Sequence, residues 1–79
     1  MERTEVLAKI EEILSSILDD ERLKLAEDST ADDFEEWDSL NHVKLMVAIE
    51  AEYSIRFETN EITAPDNVGE LVDLIMSKF

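Results

Sequence analysis

Ser39 is the residue whose placement most invites chemistry, because it follows Asp38 and leads into an apolar helical stripe that starts at Leu40. An aspartate in that position caps the free N–H groups of a helix start. Ser39 then falls in the first turn, with its hydroxyl at the positive end of the helix dipole. Asp-Ser ahead of an apolar stripe is also an ordinary capping pattern, so Asp38-Ser39-Leu40 alone specifies no reaction. A hydrolytic serine needs a base held by a third group and an oxyanion hole. The sole histidine, His42, can share a helix face with Ser39, but nothing in the sequence orients it as a base. No catalytic residue is assigned.

Two further chemistries are excluded. The chain has no cysteine, so any thiol must come from a cofactor. The acidic run from Asp28 to Asp38 invites a calcium reading through the alternation of Asp28, Thr30 and Asp32. An EF-hand loop begun at Asp28 would place Asp33 where glycine is required and Ser39 where a bidentate glutamate is required. No metal site is assigned, and weak screening by divalent ions is all that remains. With 7 Lys plus Arg against 21 Asp plus Glu, the net charge is -14. Such a surface repels nucleic acid and anionic membrane, favours partners with basic docking patches, and keeps the chain monomeric.

These residues must be positioned by helices. Val6, Ile10, Ile13 and Ile17, widened by Leu7, Leu14 and Leu18, form one amphipathic stripe. Thr4 is its expected cap, and Asp19-Asp20 disfavours its extension. A second stripe runs through Leu40, Val43, Met46, Val47, Ile49 and Tyr53, capped by Asp38. A third runs through Val68, Leu71, Val72, Ile75, Met76 and Phe79, with Asn67 and Glu70 as a capping box. Between these two, Thr59 can cap a short helix carrying Ile62, and Phe57 anchors the segment. The connection from Asp19 to Asp38 has no sustained period, and Leu23, Leu25, Phe34 and Trp37 can pin it to the helices. The expected architecture is all-α, a small four-helix bundle of three longer helices and one short helix with a long first loop, forming one domain over 1–79. The stripes should enclose a cleft lined by Val43, Met46, Val47, Phe57, Ile62, Val68 and Leu71. The first residues carry no signal-peptide pattern and no run reaches membrane-spanning length, so a soluble, cytoplasmic protein is the expectation.

The order of these elements around Asp38-Ser39-Leu40, with the stretch to Tyr53 and then Ser54-Ile55-Arg56-Phe57, resembles the phosphopantetheine-dependent acyl carrier proteins over nearly the whole chain. The resemblance implies a non-enzymatic carrier in which Ser39 bears a covalent 4'-phosphopantetheine arm as a phosphodiester, attached by a phosphopantetheinyl transferase from coenzyme A with magnesium. The terminal thiol of the arm would then hold an acyl cargo as a thioester. Asp38 matches the family's aspartate before the attachment serine, and Leu40 the apolar residue after it. Glu50 and Glu52 match acidic positions of the second helix that partner enzymes read. Lys44 and Asn41 stand where fatty-acid carriers usually have acids, and Lys44 and His42 join the partner-facing set. Glu35-Glu36-Trp37 replaces the Leu-Gly and one further residue that commonly precede Asp-Ser-Leu. These departures imply a specialised fatty-acyl, polyketide or surface-polymer pathway served by acyl-activating, acyltransferase or condensing enzymes. The alternatives are an aminoacyl or peptidyl carrier, including the D-alanyl type, and an acidic helical adaptor or divalent-ion-binding protein.

Overall fold

The computed structural model describes residues 1–79 and contains α1 (Arg3–Leu18), a short 3-10 turn (Ala31–Asp33), α2 (Ser39–Tyr53), α3 (Thr59–Thr63) and α4 (Val68–Met76), with no strand. This is the all-α arrangement that the three stripes and the short intervening segment predict. Val6, Ile10 and Leu14 of α1 are fully buried, so the centre of the first stripe faces the core while Ile13 and Ile17 flank it. The helix packs on α2 and α4. Those helices contribute Leu45, Met46 and Ile49, and Val68, Leu71, Val72 and Ile75. Leu23, Leu25 and Trp37 of the long connection complete the same cluster. A buried side chain of this size contributes about 2 kcal/mol, and these three anchors set the course of the connection over the helices. No helix is long and apolar enough to cross a membrane.

Helix boundaries depart from expectation at two starts. Thr4 lies inside α1, because Glu2 takes the cap position and its N–H donates to the Glu5 carboxylate at 3.2 Å. Thr59 is likewise the first residue of α3, capped by Glu58, whose N–H donates to Glu61 at 2.8 Å. In both cases a glutamate three residues on reaches back to the cap amide, half of a capping box. Asp38 caps α2 as expected, accepting from the Asn41 N–H at 2.9 Å. Asn67 caps α4, accepting from Glu70 N–H at 2.8 Å. The Glu70 side chain reaches one residue further than a standard box and accepts from Asp66 N–H. Asp19 ends α1 in the left-handed region at φ 53°, and Ser54 ends α2 similarly at φ 56°.

The second stripe holds in part: Met46 and Ile49 are buried and Tyr53 packs on the core. Leu40, Val43 and Val47 are 65%, 46% and 57% exposed, whereas Leu45, absent from the expected stripe, is fully buried. Both readings of α2 contain an apolar row at helical spacing, since its apolar residues nearly encircle it. The core chose the row centred on Leu45, Met46 and Ile49.

The long connection is fastened to α4 through backbone. Val68 N–H donates to the Ser29 carbonyl at 2.9 Å, and Gly69 N–H donates to that of Glu27 at 2.7 Å. Two amides that the first turn of α4 leaves without intrahelical acceptors are thus satisfied by the loop. Glycine suits the approach, because a Cβ at Gly69 would lie 3.0 Å from the Glu27 carbonyl oxygen and push the loop back by a few tenths of an ångström. Arg3 reinforces the junction. Its guanidinium bonds Glu27 at 2.5 and 3.2 Å, pairs with Asp73, and donates to the Gly69 carbonyl at 3.3 Å.

The Arg3 hydrogen bonds hold the Glu27 carboxyl below its ordinary range. A carboxyl whose pKa is depressed in the fold contributes stability above its unfolded pKa and loses it as pH falls through the folded one. The acid limb of a melting-temperature profile should therefore fall less steeply in Arg3→Ala than in wild type, below the usual glutamate range. Parallel limbs would show that the pair is screened out by solvent.

Candidate functional site

Ser39 is exposed and occupies the first helical position of α2, directly after its capping aspartate. Asn41 N–H is taken by the Asp38 side chain and His42 N–H by the Asp38 carbonyl. The helix offers no partner to the N–H groups of Ser39 and Leu40, which stand at its positive end. A phosphate esterified to the Ser39 hydroxyl would sit beside those donors. Asn41 Nδ2–H donates to the Glu36 carbonyl at 2.8 Å and folds the preceding turn against the helix. The departure from an acidic side chain at that position therefore has a local structural use.

Trp37 is 7% exposed, so the indole beside the site is a core residue. Its Nε1–H donates to His42 Nδ1 at 3.1 Å, and His42 Nε2 lies 2.7 Å from the Ile62 carbonyl. An indole N–H only donates and a carbonyl only accepts, which makes the imidazole neutral with its proton on Nε2. Phe34 extends the stack, its ring centroid 6.1 Å from that of Trp37. Both imidazole nitrogens are committed, so His42 has none left to serve as a base for Ser39. The serine-hydrolase arrangement is absent in geometry as well as in sequence.

An open hollow of about 490 Å³ lies beside Ser39, lined among others by Asp38, Trp37, His42, Val43, Ile62 and Pro65. Of the seven residues expected to line a cleft, Val43 and Ile62 reach this hollow. Met46, Val68 and Leu71 are sealed in the core at 1%, 0% and 1% exposure. Val47 points outward and Phe57 packs on the core edge. The seven residues therefore do not line one open cleft, because they divide between the core, the outer surface and this hollow. No three acidic or imidazole side chains converge as a metal site.

No protein-family model matches the sequence, and no curated protein matches it either. Solved structures do. The chain is similar to a holo acyl carrier protein from Geobacter metallireducens, with 36% identity and a TM-score of 0.83 over 91% of this chain and 83% of that one. It is also similar to an acyl carrier protein from Thermotoga maritima, with 31% identity and a TM-score of 0.81 over 99% and 91% of the two chains. The chain belongs to the acyl carrier protein family.

In this acyl carrier protein the two glutamates expected to face partners have structural contacts. Glu50 accepts from the Phe57 N–H at 2.8 Å and so ties the end of α2 to the segment leading into α3. Glu52 lies 3.7 Å from Lys9 of α1. Lys44 is exposed and makes no ion pair. The outward row of α2 is therefore Leu40, Val43, Lys44 and Val47, apolar with one cation, beginning next to Ser39. Acidic groups flank the Ser39 end of α2 instead, at Glu35, Glu36 and Asp38, all exposed. The spacing of Leu40, Val43 and Val47 did signal a helix face, but only packing could say that it faces out. The Trp37–His42–Ile62 bridge left no sequence signal, because one of its members is a backbone carbonyl.

Since Glu50 bonds an amide of the chain, Glu50→Ala should free it. Hydrogen exchange at the Phe57 amide should accelerate by about tenfold, equivalent to the roughly 1.4 kcal/mol of a charge-assisted bond, while exchange in α1 stays as in wild type. Unchanged protection at Phe57 would return Glu50 to the solvent.

Proposed function

We propose that this carrier holds an acyl intermediate as a thioester on a 4'-phosphopantetheine arm esterified to Ser39. The observation that carries the reading is the exposed Ser39 hydroxyl at the capped start of α2, within a chain-long likeness to a holo acyl carrier protein. The arm, when bound, supplies the thiol that a chain without cysteine lacks. Under a separate transferase, Ser39 Oγ bonds to the phosphorus of the phosphopantetheinyl group and loses its proton, while the pyrophosphate linkage of coenzyme A breaks and adenosine 3',5'-bisphosphate leaves. Asp38 holds the helix start in place and adds a carboxylate beside the new phosphodiester. The cargo reactions belong to partner enzymes.

For docking, the reading uses the apolar row Leu40, Val43 and Val47 with Lys44, leading away from Ser39. A partner enzyme fits with an apolar strip against this row and basic groups toward Glu35, Glu36 and Asp38. The net charge of -14 steers such partners at low salt and less so at high salt. A specialised pathway is favoured by Trp37 and Lys44.

Intact mass after incubation with coenzyme A, magnesium and a broad-specificity transferase tests the central point. One phosphopantetheinyl group should appear and map to the Ser39 peptide. A chain that stays unmodified is no carrier.

A further inference from the structure

The hollow beside Ser39 has a small neighbour. A second cavity of about 50 Å³ extends inward to Leu71, which is 1% exposed on α4. Ala31, Trp37, His42 and Pro65 line both spaces. Trp37 and His42 supply the two rings of this wall. Their rings lie 6.0 Å apart at 30°, joined by the 3.1 Å hydrogen bond, and His42 is closed onto α3 through the Ile62 carbonyl at 2.7 Å.

We propose that Trp37 and His42 form a latched partition that keeps whatever is tethered to Ser39 in the open hollow and out of the core, making this a carrier of short or polar acyl groups. The substrate class rests on the carrier reading of Ser39, whereas the partition itself stands on the two cavities and the bridge. Passage inward requires the imidazole to swing, which breaks its bonds to the indole N–H and the Ile62 carbonyl, both part-buried. A long apolar chain in the outer hollow would meet a rim that includes the carboxylates of Asp32 and Asp38. It would therefore recover little of its transfer energy there. Short or polar cargo meets no such conflict and stays accessible to partners.

The absence of native cysteine allows a test independent of any transferase. Ser39→Cys is labelled with methyl or hexyl methanethiosulfonate, alone and combined with His42→Ala. With His42 present, the two adducts should melt together, and the Leu71 methyl resonances should coincide. With His42→Ala, the hexyl chain should fill the opened space, shift the Leu71 methyls, and raise the melting temperature by roughly 5 °C over the methyl adduct. A hexyl-dependent shift at Leu71 with His42 intact overturns the partition, as does no hexyl response in the His42→Ala background. Should His42→Ala not fold, Trp37→Phe removes the indole donor while keeping most of the bulk, and the same comparison decides. Two-bond proton–nitrogen NMR correlations of the unmodified chain should show the Nε2–H tautomer. An Nδ1–H tautomer would rule the latch out. If the wild-type chain takes no phosphopantetheine, the carrier reading fails while these outcomes still judge the partition.

Discussion

Ser39→Ala should abolish phosphopantetheinylation completely while leaving the melting curve of the chain within a degree or two of wild type. The separation of the two effects follows from where Ser39 sits. It is exposed at the first position of α2, and the cap is made by Asp38 to Asn41 N–H at 2.9 Å, a bond that the substitution leaves alone. Alanine is a better helix former than serine by a few tenths of a kcal/mol, so the fold gains slightly if anything. The nucleophilic oxygen, by contrast, is removed outright, and no neighbouring side chain repeats its position at the helix start. Mass spectrometry after transferase treatment and thermal unfolding by circular dichroism are the two readouts. Residual single modification of the alanine variant would place the attachment elsewhere, and a large fall in melting temperature would give the hydroxyl a structural task that its exposure does not suggest.

The largest stability effect should come from a residue outside the expected stripe. Leu45→Ala removes a fully buried α2 side chain from the core cluster and should cost about 3 kcal/mol. That is a large share of the roughly 4 to 12 kcal/mol available to a domain of this size. Val47→Ala, two residues on, exchanges a side chain that is 57% exposed and should move stability by less than about 0.5 kcal/mol. Its effect belongs to docking, as a weaker apparent affinity of a partner enzyme for the loaded carrier. Urea midpoints at constant m-value measure the first difference. Comparable losses from both substitutions would mean that α2 is rotated from the orientation described.

The reason these neighbours were exchanged in the sequence reading also explains what else was legible. Periodicity located α1 and α4 and their buried faces, because each carries one apolar row opposed by charge: Val6, Ile10 and Leu14, and Val68, Leu71, Val72 and Ile75. On α2, Leu40, Val43 and Val47 compete with Leu45, Met46 and Ile49. Apolar spacing alone cannot rank two rows, one of which is kept outside, next to Ser39. Caps were legible where an aspartate or asparagine made them, at Asp38 and Asn67. They were missed at Glu2 and Glu58, where the signal sits three residues later in Glu5 and Glu61. Ser39 was singled out by its place behind Asp38 and in the order of helices. Its surroundings were not, since the hollow depends on Trp37 being drawn inward and on a carbonyl of α3. The family resemblance implies that Glu50 and Glu52 face partners, yet Glu50 accepts from the Phe57 amide.

The docking of the connection onto α4 also orders events in time. The first two amides of that helix find their acceptors at Ser29 and Glu27, about forty positions earlier in the chain. A short isolated helix is marginal in water, and its nucleus is the expensive part. Until the residue 27–29 segment arrives, those two amides have only water as a partner, and its arrival requires closure of a long intervening loop. Helices α1 and α2 meet with fewer residues between them. The opening turn of α4 is thus expected to lock late in folding. The sole glycine of the chain stands at the contact where that step is taken.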